Sequence, residues 1–171
     1  FLHEVVAMRD EVAGFARSTA ELRKALGTTP PPEMARLLEV LDELDVKAVL
    51  AINGSAITSY GAISEAAIRR GWEFMGHGHT QAALHSLPDQ REAIRQSFGI
   101  LERYTGVAPR GWLGPGLHET LDTLDWLAEA GFKYVFDWPL DEHPIEMRTA
   151  HGPVVAMPYS METGDLPMMV V

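Results

Sequence analysis

Apolar residues recur at helical spacing along residues 3–26, where Val5, Val6, Val12, Phe15, Ala16, Leu22, Ala25 and Leu26 form the series and Gly27 can stop it. Thr28-Thr29-Pro30-Pro31-Pro32 follows as stiff punctuation. Pro32 suits the opening of a second helix, which runs from Glu33 to about Leu44 with Met34, Leu37, Leu38 and Leu41 on one face. The pattern then shortens. Residues 47–52 are an apolar run of strand length closed by Asn53-Gly54. A helix near 62–70 precedes a strand over 72–75, and 88–104 reads as a longer helix. Residues 110–113 read as a strand end, 119–130 as a helix stopped by Gly131, and 132–136 as a strand. A hairpin turning at His151-Gly152 into 154–157 and a last apolar strand over 168–171 complete the series.

Strands alternating with helices of about 10–15 residues predict βαβ units and a parallel sheet or barrel. No repeat, low-complexity tract or interdomain linker breaks the pattern, so one α/β domain is expected over residues 33–171, with 1–28 as an N-terminal helical segment. The chain stops inside Met168-Met169-Val170-Val171, which reads as part of something longer. The sheet edge left there could pair with a second copy in a homo-oligomer, and it equally fits a chain that continues further.

The 171 residues, 46% apolar and 22% charged, are enough for one domain with a real core. No apolar run approaches the roughly 20 residues that span a bilayer, and the N-terminal residues do not read as a basic-then-apolar leader, although the chain starts at Phe1 rather than Met and an upstream N-terminus stays open. The formal charge of −10, with no basic cluster to offset it, argues against nucleic acid and anionic membrane surfaces as partners. The absence of cysteine excludes disulfides, thiolate metal sites and a cysteine nucleophile, and fits a cytoplasmic protein.

Each predicted strand ends in an unusual cluster: Asn53-Gly54-Ser55, Gly76-His77-Gly78-His79, Arg110-Gly111-Trp112-Leu113-Gly114-Pro115-Gly116, and Asp137-Trp138-Pro139-Leu140-Asp141-Glu142-His143. In a parallel α/β fold these ends point to one face, so the clusters should converge. His77 and His79 share a face only if the segment is extended, and alone they supply two metal ligands at most. Solvated loop histidines are the plainer reading. Arg110 with Trp112 suits a planar or anionic ligand, or else a surface ion pair beside a core tryptophan. Asp137 and Asp141 suit a base or ligand anchor, or else a cap or turn. Glu162 and Asp165 fall in a polar loop after the last hairpin.

Glu73-Phe74-Met75-Gly76-His77-Gly78 resembles the second motif of the polysaccharide deacetylase (NodB-homology) superfamily, and Arg110-Gly111-Trp112 through Gly116 resembles its arginine-bearing third motif. Asp137 through Pro144 and Pro158-Tyr159-Ser160-Met161-Glu162 are similar to the branch that includes cofactor-independent allantoinases and related amide hydrolases. The resemblance covers roughly residues 33–171 in consistent order. It implies a deformed (β/α) barrel of the polysaccharide deacetylase type, here incomplete; an open doubly wound sheet is the alternative.

The resemblance also implies a hydrolase of non-peptide carbon–nitrogen bonds acting on a small cyclic or linear amide. His77, Asp137 and Glu162 would be catalytic, with Arg110, Trp112, Trp138 and Asp141 binding substrate. Arg110 would neutralise substrate charge, while Trp112 and Trp138 would wall the pocket. A metal-dependent deacetylase of N-acetylated sugars is the second expectation, with zinc on His77 and, weakly, Gln81, which stands where the family has a second histidine. A catalytically inactive relative that binds a sugar or small amide is the third. The family's paired-aspartate strand should precede Glu33 and its Leu-x-His strand should follow Val171; Asp10-Glu11 is the nearest acidic pair and falls in a predicted helix.

Overall fold

The computed structural model describes residues 32–159. The predicted helix at 3–26, the 1–28 segment, Glu162, Asp165 and the strand at 168–171 lie outside the described residues. The described chain divides into two compact units, residues 32–47 with 56–71, and residues 48–55 with 72–159. Its elements are α1 (Pro32–Glu43), β1 (Val49–Ile52), α2 (Gly54–Ser59), α3 (Gly61–Arg69), β2 (Glu73–Gly76), α4 (Gln90–Thr105), β3 (Gly111–Trp112), α5 (Thr123–Ala130), β4 (Tyr134–Val135), β5 (Ile145–Met147) and β6 (Val154–Ala156).

The first unit is helical. Helix α1 opens on Pro32, whose missing N–H costs nothing in a first turn. Helix α3 buries Ala62, Ser64, Ala66 and Ala67. Arg70, just past α3, forks onto both carboxylate oxygens of Asp42 in α1 at 2.8 and 2.7 Å. This is the bidentate geometry that lets a surface ion pair hold.

The second unit is built on one six-stranded sheet in the order β1-β2-β3-β4-β6-β5. The first four neighbouring pairs are parallel, while β5 joins β6 antiparallel through the predicted hairpin. Among the described residues the sheet does not close, so the architecture is the open, incomplete form of a deformed (β/α) barrel. One sheet face carries Phe74, Trp112, Val135 and Val154, and these join Leu84, Ile94, Leu124, Leu127 and Phe132 in the core. Phe132 stands edge-on to both Phe98 of α4 and Trp112, at ring distances of 5.2 Å each.

Helix boundaries follow local chemistry. Asp89 accepts the N–H of Glu92 at 2.9 Å and so starts α4 at Gln90, while Gly106 ends it at φ 73°, a conformation that favours glycine. Gly131, at φ 112°, ends α5 as the sequence predicts. The start of α5 is a correction: it begins at Thr123, four residues after the expected Glu119. Thr120 donates its N–H to Thr123 Oγ1 at 2.9 Å, a local turn that competes with the helical ladder and frees Glu119 to turn away.

Candidate functional site

The parallel strands bring their C-terminal ends together, as the clusters predict. Gly54 N–H donates to Gly78 O at 3.0 Å and Ser55 N–H to His79 O at 2.9 Å, tying the end of β1 to that of β2. The Asn53 side chain donates to the carbonyl of His77. Leu113 N–H donates to Gly76 O at 2.9 Å, which brings β3 alongside.

His77 is half-buried at the exit of β2, and its Nδ1 lies 2.5 Å from the carbonyl oxygen of Leu113. A carbonyl can only accept, so Nδ1 carries the proton and Nε2 keeps its lone pair. Nε2 has no hydrogen-bond partner among the described residues. The ring is therefore fixed at one nitrogen and chemically available at the other.

Beside it lies a buried acidic pair. Both oxygens of Asp137 accept the N–H of Gly114, at 2.7 and 2.8 Å. Glu119 accepts the indole N–H of Trp112 at 3.0 Å on one oxygen and that of Trp138 at 2.8 Å on the other. Burial raises the pKa of Glu119, and its hydrogen bond to Asp137 and that residue's charge raise it further, to about 9. Burial also raises Asp137, but the hydrogen bond from Glu119, the Gly114 N–H and, whenever the ring is protonated, the positive charge of His77 oppose the rise. The shared proton thus belongs on Glu119 at neutral pH, with the charge on Asp137.

The sign of the resulting linkage is fixed. The folded pKa of Glu119, about 9, exceeds its ordinary value of 4.5, so its stabilising contribution is complete below 4.5 and is lost as pH rises toward 9. The unfolding temperature, followed by circular dichroism, should fall across that interval, and Glu119→Gln should flatten the fall. A wild-type profile that is flat or rises over the same range would contradict the shared proton.

Sequence reasoning missed Glu119, the residue that joins the two tryptophans. Several other candidates also stand differently from expectation. Trp112 is 0% exposed and sits in the core, so it supports the site from behind and does not wall a pocket. Arg110 is exposed and precedes β3, with its charge felt by the Tyr134 hydroxyl. Asp137, 9% exposed, has both oxygens engaged and is not a free base. Trp138 is half-buried at the cluster's edge. Asp141 is exposed and lines a shallow depression of about 290 Å³ with Pro139, Leu140, Glu142, Pro158 and Tyr159.

Gln81 is exposed, and among the described residues no group of three or more acidic or imidazole side chains is placed to hold a metal ion. A zinc site takes three or four protein donors, and His77 offers one. The described donors therefore do not fit the divalent metal implied by the deacetylase resemblance. No helix among the described residues is long and apolar enough to cross a membrane.

No curated protein sequence matches the chain significantly. Solved structures do. One assigned as a polysaccharide deacetylase from Mycobacterium smegmatis superposes with a TM-score of 0.71 at 27% identity, covering 89% of this chain and 53% of its own. A second, so assigned from Pseudomonas aeruginosa PAO1, gives 0.67 at 25% identity, covering 78% and 45%. The PuuE allantoinase structure gives 0.69 at 24% identity, covering 77% and 44%, a likeness of fold. The chain thus spans about half the length of the structures it matches. The polysaccharide deacetylase sequence profile matches residues 14–135, most of the chain, and the chain belongs to the polysaccharide deacetylase family.

Proposed function

We propose that the protein hydrolyses a non-peptide carbon–nitrogen bond in a small cyclic or linear amide, in the manner of the allantoinase-like branch of its family. The observation that carries this reading is the fixed tautomer of His77, whose Nδ1 proton is held by Leu113 O while Nε2 stays open at the converging strand ends. A neutral imidazole held so can take a proton from an attacking water and return it to the leaving nitrogen. The depression bearing Asp141 offers polar and apolar lining for a small substrate beside the ends of β4 and β6. Glu162 belongs to this reading as a further acid.

The family membership also supports a second reading, metal-dependent removal of acetyl groups from N-acetylated sugars. The exposed Gln81 and the lack, among the described residues, of a group of three or more side chains placed to hold a metal weigh against it.

The test offers the protein a linear ureide, a cyclic imide and an N-acetylated hexosamine, each followed for ammonia, amine or acetate release and for ligand-induced stabilisation. Turnover of a ureide or imide is the expected result. Turnover of the sugar alone, on addition of zinc, would favour the deacetylase. Stabilisation of the fold without product would identify an inactive binding relative.

A further inference from the structure

The Leu113–Gly114 peptide touches both His77 and Asp137, one at each end. Its C=O accepts Nδ1–H of His77 at 2.5 Å, and its N–H is held by both oxygens of Asp137 at 2.7 and 2.8 Å. A peptide is one planar, conjugated group, so fixing its N–H fixes the direction of its C=O. A carboxylate on the N–H also draws electron density toward the carbonyl oxygen and strengthens it as an acceptor. Position 114 is shaped for this approach: a Cβ there would lie 2.8 Å from Asp137 Oδ2 and 3.3 Å from Glu119 Oε1. We propose that Asp137 is a positioning residue that sets the tautomer of His77 through the Leu113–Gly114 peptide, leaving the Nε2 lone pair facing substrate.

The arrangement does what a carboxylate bonded directly to a histidine does elsewhere, with a peptide group interposed. It explains why Asp137 is buried and fully engaged where a free catalytic base would be exposed to the reacting water. The inference rests on the reading of His77 as the reacting group, but its test does not.

The test is the nitrogen-15 spectrum of the His77 imidazole, assigned by comparison with His77→Gln, at a pH where the ring is neutral. Wild type should show a protonated Nδ1 and an unprotonated Nε2. Asp137→Ala should shift the ring toward the Nε2-protonated tautomer, the one free imidazoles prefer. Should that variant fail to fold, Asp137→Asn, which keeps one neutral acceptor, should produce a smaller shift in the same direction. In the amide assay, either variant should lower kcat about 10-fold or more with KM little changed. A wild-type ring protonated on Nε2, or a tautomer unmoved in the folded variant, would overturn the inference even in an active amidase. A tautomer that moves in a protein turning over no amide would support the inference and remove only the hydrolase reading.

Discussion

Trp112→Ala is expected to lower the free energy of unfolding by about 3–5 kcal/mol, the range for removing a large aromatic side chain from a packed core. Trp112 is 0% exposed, its ring meets Phe132 at 5.2 Å, and Gly76 leaves room for it: a Cβ on that glycine would lie 2.7 Å from the indole and 3.0 Å from Phe132. The substitution removes this packing and withdraws one of the two indole donors from Glu119, leaving a buried carboxyl short of a partner. Trp112→Phe separates the two effects. It keeps a ring against Phe132 and loses the N–H with part of the volume, for a cost of about 1–3 kcal/mol. Urea denaturation of both variants measures these values. A Trp112→Ala variant within about 1 kcal/mol of wild type would mean that the indole carries little of the core.

The same tryptophan shows where the sequence was legible and where it was not. The alternation of elements, the stop at Gly131 and the hairpin at His151-Gly152 depend on local signals, and all three are found in the structure. Convergence of the strand-end clusters follows from parallel pairing, a topological rule that needs no knowledge of side-chain contacts. Glu119 failed to stand out because an acidic residue at the head of an apolar-periodic segment reads as a favourable first-turn residue. The Thr120–Thr123 turn shortens the helix and sends Glu119 inward, and that turn depends on one side-chain hydrogen bond. A signal for it did exist. Two tryptophans close to strand ends, each with an indole N–H that needs an acceptor once buried, call for a nearby acid.

Arg110, whose residue type and place beside Trp112 suggest a clamp, is exposed and lies just ahead of β3. Gly111, by contrast, has a role visible only in three dimensions. A Cβ there would collide with the ring of Tyr134, whose hydroxyl donates to Glu73 at 2.7 Å and links β4 to β2. Nothing in the residue pattern around Gly111 announces that crossing.

The proposed hydrolysis depends on one imidazole. His77→Ala should lower kcat by about 10²–10⁴-fold on whichever small amide the wild type turns over, the usual contribution of a positioned acid–base group. KM should change little, since no residue outside the ring is altered and the depression at Asp141 is formed by other loops. His79 provides the control: it is exposed two residues on, its backbone carbonyl rather than its ring ties β2 to β1, and His79→Ala should keep activity within about threefold. The decisive measurement is therefore the steady-state rate of amide hydrolysis by His77→Ala and His79→Ala beside the wild type, with folding checked by circular dichroism. Loss of kcat confined to the folded His77 variant is the predicted result; a folded His77→Ala protein that hydrolyses the amide at the wild-type rate would contradict the account.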